Sequence, residues 1–215
     1  SSGTATVTGS GTTYDVSVAG MAQGVLTATV PAGAAIDAVG NTNTASTSTD
    51  NRVTYDTIIP TVTINQAATQ ADPTNVSPIH FTVTFSEAVI DFTAADVALS
   101  SGTATVTGGP TLYDISVAGM AQGVLTATIP AGVATDDVGH ANLASTSTDN
   151  SVLYDSVVPT VTVEQALGQP DPTNTSPINF TVTFSEPVTG FTSADVVWGG
   201  TAAPTTAIVT SGSGT

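Results

Sequence analysis

Carboxylates are the side chains whose number and spacing in this sequence point to chemistry. The 215 residues include 17 Asp and Glu but only one Lys or Arg, which is Arg52. Fourteen of the 17 carboxylates recur in pairs separated by 99 residues. Oxygen ligands of this kind are the ones that Ca²⁺ prefers, so a recurring set indicates a calcium site built once per repeat. The pairs are Asp15/Asp114, Asp37/Asp136, Asp50/Asp149, Asp56/Asp155, Asp72/Asp171, Glu87/Glu186 and Asp96/Asp195.

Other reactive side chains are missing or do not recur. There is no cysteine, which excludes disulfides and thiol nucleophiles. The two histidines have no counterpart, because His80 corresponds to Asn179 and His140 to Asn41. A Ser-His-Asp triad or a histidine-based metal site therefore has no recurring parts. The sequence predicts a protein that is not an enzyme.

The charge balance restricts the classes of partner. The formal net charge is −16, which repels nucleic-acid phosphates and anionic lipid surfaces. No apolar run approaches the 18 residues needed to span a bilayer. We therefore expect no nucleic-acid partner and no membrane insertion in this segment.

The chain repeats itself with a period of 99 residues. Residues 1–56 match residues 100–155 at about 43 positions, and residues 60–89 match 159–188 in the same way. A period of this length exceeds that of solenoid units and suits one independent sandwich domain.

Within each period, short segments alternate between apolar and polar residues. From Ile79 to Phe85, every odd position is apolar and every even position is polar. This period of two is typical of half-buried antiparallel strands, and no stretch keeps the 3.6-residue period of a helix. The seven such runs are 61–66, 78–86, 95–100, 103–107, 112–118, 124–130 and 146–154.

Seven short strands in about 100 residues predict an all-β fold of tandem immunoglobulin-like antiparallel sandwiches. Pro60 and Pro159 follow equivalent linkers, where they favour an extended connection. The predicted organisation is a C-terminal part of one repeat over 1–56, a complete repeat over 57–155, and an N-terminal part of the next repeat over 156–215.

The two incomplete repeats leave two hypotheses open. In the first, the chain is a window from a longer tandem array, and neighbouring repeats of the same chain complete them. In the second, identical subunits complete each other and build a fibre head to tail. The overlap between 200–215 and the first strand argues mildly against the second hypothesis.

Sandwich topology predicts which acids converge at the junctions between repeats. The last strand of one repeat ends at the linker, and the loops of the next repeat lie at the same pole. We expect Asp56, Glu87, Asp96 and Asp136 at the first junction, and Asp155, Glu186 and Asp195 at the second. Because Asp and Asn also favour turns without any ion, turn formation is the alternative explanation.

Several motifs resemble those of a known family. PTVTINQ, the DPTN segments, STSTDN and above all FTVTFSEPV with GFTSADV (180–196) resemble the bacterial Ig-like repeats of giant extracellular surface proteins, such as biofilm-associated proteins and large repeat adhesins. The resemblance covers essentially the whole chain, although Glu87-Ala88 and Ile90-Asp91 depart from the pattern. It implies a secreted, cell-surface location, a passive structural role, and Ca²⁺ at domain junctions, with Asp56 and Asp155 as ligands.

The sequence thus predicts a non-catalytic structural repeat that forms a stalk, sheath or filament. The alternative is an adhesive binding module that recognises a glycan or protein through its loops. Such loops are expected to differ between copies, whereas AGMAQG is identical at 19–24 and 118–123, and aromatic residues make up only 5%. Glycan modification is a further partner class, since sequons begin at Asn75, Asn174 and Asn179.

Overall fold

The protein is all-β and built from several antiparallel sheets in the computed structural model, which describes residues 3–202, 206 and 208–210. The chain divides into two compact units, Ser1–Asp155 and Ser156–Thr215. Among the described residues, the helical elements are two short 3-10 turns, Ala94–Asp96 and Ser193–Asp195. None of the helices in that part of the chain is long and apolar enough to cross a membrane.

Two hairpin-like pairs form the N-terminal segment, residues 1–56. Strand β1 pairs antiparallel with β2, and β3 pairs antiparallel with β4. Their apolar side chains are largely exposed to solvent. The four strands are β1 (Thr4–Ser10), β2 (Thr13–Ala19), β3 (Gly24–Thr27) and β4 (Arg52–Tyr55).

The central segment, residues 57–155, contains two larger sheets. One has four strands in the order β5-β6-β9-β8, and the other has three in the order β11-β10-β7. The strands are β5 (Val62–Gln66), β6 (Ile79–Phe85), β7 (Ala98–Leu99), β8 (Thr103–Gly108), β9 (Leu112–Ala118), β10 (Gly123–Thr128) and β11 (Ser151–Tyr154).

One hydrophobic core joins these two sheets. Strand β6 alternates as predicted: Phe81 and Val83 are fully buried, while Thr84 between the strand's buried residues is exposed. Ile115 on β9 and Leu125 on β10 bring side chains from both sheets into the same cluster. Because Val, Ile and aromatic side chains pack well on pleated surfaces, this alternation is what holds the sheets together.

In the C-terminal segment, residues 156–215, the described residues repeat the beginning of this arrangement. Strand β12 (Val161–Gln165) pairs antiparallel with β13 (Phe180–Phe184). The register places Val161 opposite Phe184, just as Val62 lies opposite Phe85 in the central segment.

Two of the seven predicted strands differ from the expectation. Residues 95–100 begin as a 3-10 turn and keep only the two-residue strand β7, because Asp96 caps the turn through Thr93. Only the last part of 146–154 forms β11. At its start, Thr146 makes an isolated parallel bridge to Thr63 instead of an extended ladder.

Candidate functional site: a carboxylate cluster

Asp136 is the most buried carboxylate of the predicted set, with 2% exposure. It begins a tight turn in which its Oδ1 accepts backbone hydrogen bonds from Val138 and His140, both at 2.9 Å. Its Oδ2 lies 2.9 Å from Nδ1 of His140. Gly139 completes the turn at φ 93°, a conformation that glycine adopts without strain. The side chain of Asp136 is therefore held in one orientation.

The hydrogen bonds in this turn keep Asp136 ionised. Burial alone would raise the pKa of the Asp136 carboxyl, but the backbone and side chain of His140 and the backbone of Val138 lower it overall. The preceding residue is also held, since Thr135 donates a backbone hydrogen bond of 2.6 Å to Asp91. A buried, negatively charged oxygen is thus fixed at this end of the central segment.

Asp56 follows directly after β4, at the start of the linker, and its carboxylate lies beside Asp136 and His140. Its Oδ1 accepts hydrogen bonds from the Gln23 side chain at 2.7 Å and from the Ile58 backbone at 3.0 Å. The Ile58 N–H and then the Gln23 amide lower the pKa of the Asp56 carboxyl. Asp56 is therefore also charged at neutral pH.

The ligand atoms of Asp56, Asp136 and His140 all lie within 4.8 Å of one another. Glu87 is near enough to feel this charge: burial raises the pKa of its carboxyl, and repulsion from Asp56 and Asp136 raises it further. Its Oε1 is buried and has no hydrogen-bond partner among the described residues. Together, Asp56, Glu87, Asp136 and His140 form what we call the carboxylate cluster.

The cluster has the chemistry of a cation site. Three carboxylates provide hard oxygen ligands of the kind Ca²⁺ takes, and an imidazole nitrogen is a ligand for transition metals. The only side chain of fixed positive charge in the sequence is Arg52. A bound cation would therefore supply a positive charge beside the Glu87 carboxylate.

Asp96, the fourth residue expected at this junction, is not in the group of Asp56, Asp136 and His140 whose ligand atoms lie within 4.8 Å of one another. Its Oδ2 accepts hydrogen bonds from the backbone and the hydroxyl of Thr93, at 2.7 and 2.8 Å. The Asp96 carboxylate therefore caps its own 3-10 turn. This local role is the one expected if the recurring acids serve turn formation without any ion.

The residues expected at the second junction belong to both units. Asp155 ends the first unit, where its carboxylate accepts a hydrogen bond from the Gln122 side chain, as Asp56 does from Gln23. In the described part of the second unit, Oε1 of Glu186 is buried without a hydrogen-bond partner. Asp195 caps its own turn, and hydrogen bonds from Thr192 lower the pKa of its carboxyl.

His140 was set aside in the sequence because it does not recur, yet it touches Asp136. The sequence signal for His140 is its position in the turn, four residues after Asp136. In the N-terminal segment, Asn41 takes the place of His140 and donates the equivalent side-chain bond to Asp37 at 2.8 Å. A donor four residues after the aspartate is thus common to both copies, although its residue type changes.

Comparisons of this chain with known proteins add no identification. No protein family, curated protein or solved structure matches it. The features of the chain that bear on its function are therefore the sequence repeat, the core of the central segment and the carboxylate cluster.

Glu87→Gln is expected to raise the melting temperature of the first unit at pH 7 in the presence of a chelator. The raised pKa of Glu87 means that its ionised form opposes folding above that pKa. The gain should reach about 2–4 °C, which corresponds to ~1 kcal/mol in a unit of this size. It should shrink as the pH falls through the raised pKa, because wild-type Glu87 is then protonated. Thermal melts followed by circular dichroism at pH 7 and at acidic pH test this.

Asp15→Asn is the matched control for that experiment, since it removes one negative charge at an exposed position of the same unit. We expect it to leave the melting temperature nearly unchanged. Equal gains from both variants would show that net charge, and not the surroundings of Glu87, is responsible.

Proposed function

We propose that this chain is a non-catalytic structural repeat of an extracellular bacterial surface protein. In this proposal, immunoglobulin-like sandwiches of about 99 residues are joined in tandem as a stalk, sheath or filament. Calcium bound at the junctions makes the connections rigid. The location outside the cell follows from the family resemblance of the repeat motifs.

The main support for a structural role is the position of the hydrophobic core in the sequence. The buried hydrophobic residues, as far as the chain is described, all fall between Val62 and Val152, within a single 99-residue period. One period thus closes a core by itself, as a building block of a tandem array must. The absence of a recurring His or Cys supports the non-catalytic part of the proposal.

The carboxylate cluster supports the calcium part. Asp56 comes from the linker, whereas Glu87 and Asp136 come from loops of the central segment. A cation shared among them would tie the linker to the following sheets. It would also give the unpartnered Oε1 of Glu87 a positive partner.

Calcium is expected to raise the melting temperature of the full chain. A ligand that binds only the folded state adds about 2.7 kcal/mol of stability at a hundredfold excess over its dissociation constant. For a unit of this size that corresponds to a rise of about 5–10 °C. Differential scanning calorimetry with millimolar Ca²⁺ and with EDTA measures it. An unchanged melting temperature would contradict the calcium proposal.

Two variants identify the site and the type of ion. Asp56→Asn should remove most of the calcium response, because it takes one charged oxygen from the cluster. His140→Asn places the residue that the N-terminal segment has at position 41, and it should keep the calcium response. A response to Zn²⁺ that His140→Asn abolishes, with none to Ca²⁺, would instead assign the cluster to a transition metal.

A further inference from the structure

One edge of the four-stranded sheet in the central segment is covered by its own chain. The edge strands of that sheet are β5 and β8. Along β5, the Gln66 N–H donates to the Asp149 carbonyl at 2.6 Å, and the Thr146 N–H donates to the Val62 carbonyl at 3.0 Å. In the other sheet, the edge strand β11 is bridged to Thr74. These contacts occupy backbone groups that would otherwise be available to another chain.

The outer edge of β8 has no such cover. In the turn between β8 and β9, the Gly109 N–H donates to the Leu112 carbonyl at 2.8 Å. Because hydrogen-bonded and non-hydrogen-bonded pairs alternate along an antiparallel ladder, Thr105 bonds to β9, whereas the backbone groups of Ala104 and Val106 point away from it. Of the residues that the structure describes, none bonds to these outward N–H and C=O groups. The edge of β8 is therefore open to a further strand.

Strand β8 also lacks the side chains that usually protect an edge. Charged residues and proline on an edge strand hinder pairing with another chain. The sequence TATVTG of β8 contains neither, and 97–113 carries no charged residue, in a chain with 17 carboxylates. The same six letters form 4–9 in β1, which pairs with β2 in the corresponding register. The uncharged edge is thus a recurring feature of the repeat.

An open groove lies beside this edge. Its lining includes the aromatic side chains of Phe92 and Tyr113, together with Ala94, Ala104 and Val106. Ala104 and Val106 are half-buried and pack against the core, so the groove lies on the core-facing side of β8. A strand added at the edge of β8 would place alternate side chains over this groove.

We propose that β8 of one copy of this chain pairs antiparallel with β8 of a second copy, so that the two copies associate side by side. A strand edge that pairs antiparallel with itself needs one surface only, because a twofold axis makes the same residues serve both partners. Although each copy is acidic, β8 itself carries no charge, so no like charges oppose each other along the paired strands. This inference goes beyond the proposed function, because the contact requires no cation.

The outward backbone groups of β8 determine the register of this pairing. Gly108 has a φ of 104°, which departs from strand geometry, so the regular part of the strand is 103–107. Centring that part on the twofold axis places Ala104 of each copy opposite Val106 of the other, and each such pair exchanges both of its backbone hydrogen bonds. On the solvent side, Thr105 faces Thr105 of the second copy. Val106 of each copy then lies over the groove of the other.

Side-by-side pairing predicts self-association that increases with concentration. Sedimentation velocity of the full chain in EDTA, from about 10 μM to about 1 mM, should show a rising average mass. Adding about 0.5 M NaCl should raise it further, because salt screens the repulsion between two acidic copies. A monomer under all these conditions would overturn the proposal. Since EDTA is present throughout, a missing calcium response counts against the proposed function and not against this pairing.

Hydrogen exchange identifies the residues that form the contact. The backbone amides of Ala104 and Val106 should exchange about twofold more slowly once half of the chains are paired, because only the unpaired chains then expose them. Exchange rates measured by NMR at the two ends of the concentration range test this. Association that leaves both rates unchanged would assign the contact to another surface and refute the pairing.

Charge variants at Thr105 test the register. Because β1 offers the same edge, the change is made at Thr105 and at Thr6, which are both exposed. The variant with Glu at both positions and the variant with Lys at both should each remain monomeric, since like charges then face each other across the axis. An equimolar mixture should associate again, because Glu then faces Lys. A mixture that associates no more than its components would contradict the predicted register.

Thr84→Glu combined with Thr183→Glu is the matched control. These threonines are exposed on β6 and β13, and they add the same two charges away from β8 and β1. This control should therefore associate like the wild type. Loss of association in the control would show that net charge, and not the edge of β8, governs the contact.

Discussion

Phe81→Ala is expected to destabilise the central segment by about 3–5 kcal/mol, while Phe180→Ala costs about 1 kcal/mol or less. The two residues occupy the same position of the repeat, 99 residues apart. Phe81 is fully buried, so truncation leaves a cavity among residues of both sheets. Phe180 is half exposed and loses much less contact.

Urea denaturation of the full chain at low micromolar concentration measures both effects. Phe81→Ala should lower the midpoint of the main far-UV circular dichroism transition without changing its slope, since the surface exposed on unfolding stays similar. Phe180→Ala should leave that midpoint in place. Equal losses would show that the C-terminal segment closes a core as complete as that of the central segment.

The all-β class was predictable because strand alternation is a local property. From Ile79 to Phe85 the polar and apolar residues alternate, and the structure confirms β6 with the predicted face buried. The same holds for β9, where Ile115 and Val117 are buried. A period of two needs no knowledge of the partner strand, so sequence alone places such elements.

Strand ends were less predictable because they depend on side-chain hydrogen bonds. Residues 95 and 96 alternate like a strand, but Asp96 reaches back to Thr93 and closes a 3-10 turn instead. Such a local bond competes with the sheet ladder and is satisfied without any tertiary partner. This competition also explains why the Asp96 carboxylate accepts both of its hydrogen bonds from Thr93.

The convergence of Asp56 and Asp136 depends on long-range topology. Eighty residues separate them in the sequence, and no local pattern relates the two. Their recurrence at equivalent positions identified both as candidates, and loop placement in a sandwich suggested that they meet. Recurrence does not identify His140, because its place in the turn is taken by Asn41 in the other copy.

Asn142 was not singled out in the sequence, although an asparagine recurs at position 43. Its side chain is 2% exposed and links four backbone groups of the loop that carries Asp136. Oδ1 accepts from the backbone of Val133 and Ala134 at 2.9 and 2.8 Å. Nδ2 donates to the carbonyls of Pro130 and Leu143 at 2.9 and 2.7 Å.

Asn142→Ala is therefore expected to destabilise the first unit by about 2–5 kcal/mol, because it leaves buried backbone donors and acceptors without partners. Asn43→Ala is the matched control. Asn43 makes the same kind of bonds, to Ala35 at 2.8 Å and Pro31 at 2.9 Å, but it is only half-buried, so water can reach and replace them. Its loss should cost about 1 kcal/mol or less.

Urea denaturation of both variants, followed by the calcium titration, measures the two consequences of losing Asn142. Because Asn142 fixes the ends of the loop, Asn142→Ala should also weaken the calcium response, even though its side chain offers no carboxylate. Asn142→Asp provides a second comparison. It keeps the oxygen that accepts from Val133 and Ala134, but it replaces the amide donors with a negative charge that faces the carbonyl oxygens of Pro130 and Leu143. We expect it to be at least as destabilising as the alanine variant. If Asn142→Ala and Asn43→Ala lower the free energy of unfolding equally, burial does not determine how much these hydrogen bonds stabilise the fold.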